Sequence, residues 1–116
     1  RTGAGDVASE EDVARQMGEA LAFFGGRLDA AVLNAGCAAG RKCVEDVPLE
    51  VFDRVFRTNV RGVFTWLQAA LRVMKPQGAG QLVVTSSLAG LRPCPTTAVY
   101  AASKHAVQGL VASVRA

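Results

Sequence analysis

An α/β domain built on a parallel sheet is the fold class that the sequence predicts. Two observations carry the expectation: helix-length segments with apolar residues every three or four positions alternate with short Val- and Leu-rich runs, and those runs are continuous, as in strands covered on both faces. The composition agrees. The chain has 116 residues, 50% hydrophobic and 20% charged, the profile of one globular domain, with no internal repeat and no low-complexity run.

The first helix opens at Ser9, whose hydroxyl can cap the following turn, with Glu10, Glu11 and Asp12 set against the positive end of the helix dipole. Val13, Met17, Ala20, Leu21 and Phe24 keep the helical period, and Gly25-Gly26 ends it. Residues 28 to 33 read as a short buried strand, and Asn34-Ala35-Gly36 turns the chain out of it. Pro48 starts a second helix, sustained by Leu49, Phe52, Phe56, Val60, Val63, Leu67 and Leu71 to about Met74. Lys75-Pro76-Gln77-Gly78 stops it. Leu82-Val83-Val84-Thr85 is the second strand, ending at Ser86-Ser87, and a loop with Pro93 and Pro95 leads to a third helix from about Ala98 that is still running at Ala116. Asp6-Val7 reads as the end of a third strand. With so few strands and an unterminated last helix, residues 1–116 read as the central portion of a larger domain.

Several function classes are excluded by composition. The 13 Lys and Arg exceed the 10 Asp and Glu by only three, with no dense basic block among aromatics, so no nucleic-acid partner is expected. No run of about 18 apolar residues is present, and Arg1 to Asp6 lacks the apolar core of a secretory signal, so neither a membrane span nor secretion is expected. Cys37, Cys43 and Cys94 fit no disulfide framework or zinc knuckle and read as reduced thiols, which points to the cytoplasm. No His/Cys/Asp/Glu cluster has metal-ligand spacing, so no metal is expected. Arg54, Arg57 and Arg61 read as a solvated basic stripe, and His105 points away from the face of its neighbour Lys104 that carries chemistry.

That chemistry lies in Thr85-Ser86-Ser87 and Tyr100-Ala101-Ala102-Ser103-Lys104. Tyr100 and Lys104, at i and i+4, share one helical face, and an ammonium beside a phenol favours its ionised form, the condition for exchanging a proton near neutral pH. Ser87 follows a strand at its C-terminal end, where open α/β sheets bind ligands, and its hydroxyl can hold a substrate oxygen.

The sequence resembles the short-chain dehydrogenase/reductase family. In order, it carries the family's Asp-hydrophobic pair (Asp6-Val7), Asn-Ala-Gly after a strand (Asn34-Ala35-Gly36), helical Asn (Asn59), strand-end Ser (Ser87) and Tyr-x-x-x-Lys (Tyr100, Lys104), with Ser87 thirteen positions before Tyr100. The resemblance runs through essentially the whole chain. It implies a doubly wound, three-layer Rossmann-like fold and an NAD- or NADP-dependent oxidoreductase that interconverts a small-molecule alcohol and a ketone by hydride transfer. It further implies that Tyr100 is the general acid/base, that Lys104 tunes it and holds the nicotinamide ribose, that Ser87 orients the substrate oxygen and that Asn59 supports a water-linked relay to Lys104. Asp6 and Val7 would border the adenine, and Asn34, Ala35 and Gly36 would pack on the adenosine side.

Two departures qualify the likeness. The family's Gly-rich phosphate loop belongs before Asp6; Thr2-Gly3-Ala4-Gly5 imitates its start but has no preceding strand and lacks the third glycine. Leu33 stands where many members have a further Asn. The segments that complete the nicotinamide pocket and the substrate lid would follow Ala116. Two rival readings are a dinucleotide-binding scaffold without turnover, opposed by the intact Asn59, Ser87, Tyr100 and Lys104, and an extended-type sugar-nucleotide epimerase, opposed by the helical Asn and the compact Ser-to-Tyr spacing. Family members commonly pair their long helix and their Tyr-bearing helix between subunits, so a homo-oligomer, dimer or tetramer, is expected through residues 48–74 and 98–116. Phe64, Trp66 and Leu67 add apolar surface in keeping with that expectation.

Overall fold

A computed structural model describes residues 2–115. Helix α1 (Glu10–Phe23) begins where Ser9 Oγ accepts the Asp12 N–H at 3.3 Å. It ends because Gly25 and Gly26 take positive φ, 67° and 84°, which brings the Gly26 N–H within 2.7 Å of the Leu21 carbonyl. Phe24 falls past the last turn and is exposed, so it is not part of the buried stripe that Val13 and Met17 form.

Strand β1 (Ala30–Leu33) starts two residues later than the apolar run suggests. The Gln77 side-chain amide occupies both backbone groups of Leu28, accepting its N–H at 2.9 Å and donating to its carbonyl at 3.0 Å, which leaves Leu28 buried but unavailable to a ladder. Strand β2 (Gln81–Val84) pairs with β1 in parallel, Ala30 opposite Gln81 and Leu33 opposite Val84. Ala31, Leu33, Leu82 and Val84 face the helices, whereas Val32 and Val83 face outward and are exposed. Among the described residues, then, the sheet has two strands and carries one helical layer on one face.

Asp6-Val7 is not the end of a strand. The Asp6 carboxylate accepts the Ala8 N–H at 2.8 Å and the Asp6 carbonyl accepts the Ser9 N–H at 3.0 Å, so an aspartate-centred turn replaces extended backbone.

The long helix is interrupted where the sequence reads it as continuous. Pro48 caps α2 (Leu49–Phe56), a π-helical turn follows at Arg57–Arg61, and α3 (Gly62–Gln77) carries Pro76 in its last turn and stops at Gly78, whose φ is 69°. A π turn inserts one extra residue and rotates what precedes it. The buried line consequently runs Val55, Asn59, Val63, Leu67, Ala70 and Met74, and Leu49 and Phe52 are left exposed. Helix α4 (Ala98–Arg115) starts where expected; Ala116 lies outside the described residues.

Two apolar clusters hold the layers. Met17, Leu28, Ala70 and Met74 join α1 to α3, with Trp66 packed against them, and Val63, Leu67 and Val107 join α3 to α4 over Leu33, Leu82 and Val84. Leu67 is thus buried and Trp66 partly so, packed against the first cluster, and of the three extra apolar residues only Phe64 stands exposed. The helix carrying Tyr100 and Lys104 is in this way pinned beside the C-terminal ends of both strands.

Candidate active site

Lys104 is buried, with 3% of its surface exposed, and an ammonium there must find partners. Its Nζ donates to the Thr85 carbonyl at 3.0 Å, just past β2, and lies 5.8 Å from the centroid of the Tyr100 ring. The i, i+4 spacing therefore does bring the phenol and the ammonium to one site. Across the strand ends, Thr85 Oγ1 donates to Asn34 Oδ1 at 2.8 Å and the Thr85 N–H donates to the Leu33 carbonyl at 3.0 Å. The Asn34 turn is thereby tied to the segment that holds Lys104.

Asn59, fully buried in the π turn, reads the backbone of Cys37: Oδ1 accepts its N–H at 2.8 Å and Nδ2 donates to its carbonyl at 3.0 Å. The second Nδ2 hydrogen goes to Ser103 Oγ, also at 3.0 Å, and Ser103 in turn donates to the Tyr100 carbonyl at 2.7 Å. Asn59 has no N–H to spare. Gly36 lies between these groups: a Cβ there would stand 3.3 Å from Asn59 Oδ1 and 3.6 Å from Lys104 Nζ, so bare backbone lets the turn approach both.

Ser87 is half-buried after β2, and its Oγ accepts the Ala89 N–H at 3.2 Å. The hydroxyl proton remains to be donated. Val7, Asn34 and Ala35 line a cleft of about 280 Å³ with Leu33, Thr58 and Trp66 at the C-terminal end of β1. Asp6 stands outside that lining. Its carboxylate is held below the ordinary aspartate range by the Ala8 N–H first and by the Arg57 guanidinium next, which pairs with Oδ2.

The basic stripe is not merely solvated. Arg57 pairs with Asp6, Arg61 stands 3.9 Å from Glu10 and Arg54 donates to the Ala38 carbonyl at 3.4 Å, so the three clasp neighbouring segments to the long helix. Thr2 to Gly5 run along α1 instead of opening a helix, and a Cβ at Gly5 would collide with the Gln16 side chain. His105 is exposed, with Nδ1 2.9 Å from the Ala101 carbonyl. The three cysteines are free thiols, Cys43 exposed and the other two half-buried. Among the described residues, no three His, Cys, Asp or Glu are grouped to hold a metal, and no helix is long and apolar enough to cross a membrane.

Ser103 and Thr85 lie in the segments that the sequence singles out, but their own roles there are not evident from it. Ser103 is three residues from Tyr100 and therefore on its helical face, a signal that was legible; its bond to Asn59 spans 44 residues and was not. The Thr85 contribution is a main-chain carbonyl, which no side-chain pattern announces.

Residues 2–116 match the model of a family described as short chain dehydrogenase. The chain is 42% identical over 113 residues to (+)-borneol dehydrogenase 2 of Salvia officinalis, covering 96% of this chain and 39% of that one. It superposes on the crystal structure of levodione reductase with a TM-score of 0.90 at 37% identity, over 94% of this chain and 42% of that one. On NAD+-bound xylitol dehydrogenase the TM-score is 0.87 at 38% identity, over 90% and 40%. The chain thus spans about two fifths of the length of these relatives. Their Rossmann-like architecture is the doubly wound fold of which the two parallel strands and single helical layer form a part, and the chain belongs to the short-chain dehydrogenase family.

Proposed function

We propose that this chain is the central portion of an NAD- or NADP-dependent oxidoreductase that interconverts a secondary alcohol and a ketone. The observation that carries the reading is the buried Lys104 ammonium, fixed by the Thr85 carbonyl on the same helical face as Tyr100. In this reading Tyr100 gives its phenolic proton to the carbonyl oxygen during reduction and takes it back during oxidation, and the adjacent ammonium stabilises the phenolate between those steps.

The residues present fit a nicotinamide dinucleotide. Gly36 leaves room that a Cβ would fill beside Lys104, and Lys104 uses one of its three N–H donors on Thr85, leaving two for ribose hydroxyls. Val7, Asn34 and Ala35 would border the adenosine side from the cleft they line, with Asp6 beside them. The bound nicotinamide would supply or accept the hydride. Ser87, with its oxygen already accepting from Ala89, would donate its proton to the substrate oxygen and orient it toward Tyr100. Asn59 would support a relay to Lys104 through Oδ1, since both its N–H groups are engaged. A cytoplasmic location accords with the three free thiols.

The test is turnover of propan-2-ol, cyclohexanol, borneol and xylitol with NAD+ and NADP+, followed by the absorbance of the reduced nicotinamide. Tyr100→Phe keeps the ring and removes the proton, so turnover of the fastest alcohol is expected to fall at least ~100-fold with dinucleotide affinity little changed. A near-normal rate in that variant would sink the role given to Tyr100.

A further inference from the structure

Ser103 is the least accessible hydroxyl of the molecule's functional region, and it is neither in contact with the cleft nor part of an apolar cluster. Its surface is 0% exposed, as is that of Asn59, to which it is bonded. A buried serine between two helices is ordinarily replaceable by alanine at small cost, unless its hydroxyl completes a chain of polar groups that have no water to turn to.

The direction of that chain is fixed by its first member. The Cys37 N–H is a donor and so must face the Asn59 oxygen; the Asn59 amide nitrogen then faces the Cys37 carbonyl and Ser103. Ser103 Oγ is forced to accept from Asn59, and its single proton goes to the Tyr100 carbonyl. One continuous path of hydrogen bonds therefore links the segment after the Asn34-Ala35-Gly36 turn, the π turn and the first turn of α4. No buried side-chain polar atom among the described residues lacks a partner, so the path contains no slack.

We infer that Ser103 is a positioning residue for the proposed reaction: its hydroxyl sets the first turn of α4, and with it the Tyr100 phenol, against the segment of the π turn that carries Asn59. The inference rests on the reading of Tyr100 as acid/base. Without the hydroxyl, one Asn59 N–H loses its acceptor and the Tyr100 carbonyl loses a donor, and the two elements are free to separate by the distance a water or a rotated amide requires. A displacement of that order acts on the chemical step far more than on dinucleotide binding.

The experiment compares Ser103→Ala with Ser103→Thr in the intact protein, using the fastest of the four alcohols and normalising the rate to dinucleotide-binding sites. Threonine keeps a hydroxyl able to reach the carbonyl three residues back. Ser103→Ala is expected to lower kcat about tenfold with the dinucleotide KM within about twofold of the parent, and Ser103→Thr to recover at least about threefold of that loss. An unchanged kcat per site in Ser103→Ala, or equal losses in the two variants, overturns the inference, because a merely structural serine would change the yield of folded sites and not their rate. Should the alanine variant fail to fold, Ser103→Cys, similar in size with a weak donor, takes its place against the threonine under the same criteria. Tyr100→Phe separates the two ideas: if it retains turnover, the acid/base reading fails and this inference with it, whereas if it is inactive and Ser103→Ala is not impaired, only the Ser103 inference fails.

Discussion

Lys104 Nζ donates a 3.0 Å hydrogen bond to the carbonyl oxygen of Thr85, the first residue beyond β2. A main-chain acceptor at a strand end cannot be altered by substitution and hardly moves, so it fixes the ammonium more firmly than a side-chain partner would. Burial holds the ammonium out of bulk water, 5.8 Å from the centroid of the Tyr100 ring.

Replacing Lys104 by Met keeps the length and apolar stem while removing the charge. Turnover of the fastest alcohol is expected to fall by ~100-fold or more. Dinucleotide affinity should weaken as well, in contrast to Tyr100→Phe, because the two N–H donors assigned to the ribose are lost. Titration of each variant with NADH and NADPH checks this, and an unweakened affinity in Lys104→Met would remove the ribose from the role of Lys104.

Gly90 also packs closely against α4, at the Lys104 carbonyl. A Cβ added there would lie 2.8 Å from the Lys104 carbonyl oxygen and 3.0 Å from its carbon, contacts with backbone that no rotamer change can relieve. Gly90→Ala should therefore destabilise the fold by about 1–3 kcal/mol, the scale of overpacking, and urea unfolding measures it. A variant as stable as the parent would mean that the short helical turn at Leu88–Gly90 is looser against α4 than its geometry indicates.

What was legible in the sequence was whatever rests on local pattern. Ser9 as cap, Gly25-Gly26 as stop and the start of α4 at Ala98 follow from neighbours along the chain, and so does the meeting of Tyr100 with Lys104. The start of β1 did not, because a side chain 49 residues away occupies the backbone of Leu28. The π turn is hidden in the sequence too: its extra residue makes the apolar spacing before Asn59 fit a face that is not the buried one, the face of the exposed Leu49 and Phe52. The basic stripe looked solvated because its partners, Asp6, Glu10 and the Ala38 carbonyl, lie on other segments.

The Asp6 and Arg57 pair gives a pH dependence with a defined sign. Its carboxyl titrates below the ordinary value of 3.8 in the fold, so the stabilisation is complete above that value and is lost as the pH falls through the lowered one. Arg57→Gln removes the guanidinium and leaves the Ala8 N–H, returning Asp6 part of the way. Thermal unfolding from neutral pH downward should then show the parent more stable near neutrality, with the difference shrinking toward zero in acid. Asp12, lowered chiefly by Arg15, contributes equally to both proteins and cancels. A difference that does not change with pH would locate the effect of Arg57 somewhere other than Asp6.

The last prediction concerns assembly. Phe56, Val60, Phe64 and Leu110 line one apolar depression between the long helix and α4, rimmed by Arg57 and Arg61. Phe64 is 46% exposed and Phe52 39%, the latter with its ring stacked on Phe56 at 4.4 Å between centroids. Each ring is already more than half covered, so burying the exposed remainder against a second copy would contribute about 1 kcal/mol. A two-fold axis sets the same patch of both copies face to face, and the ridges of the long helix and α4 can then pack into the grooves of their counterparts. The protein is therefore expected to form a symmetric homo-oligomer through residues 48–74 and 98–116. Phe64→Glu puts a carboxylate into the middle of that apolar face, and burying it there would cost its hydration. Sedimentation velocity at micromolar concentration should find an oligomer for the parent and a shift toward monomer for Phe64→Glu, with α-helical circular dichroism unchanged. A parent that sediments only as monomer would show that this apolar face is not an interface between copies.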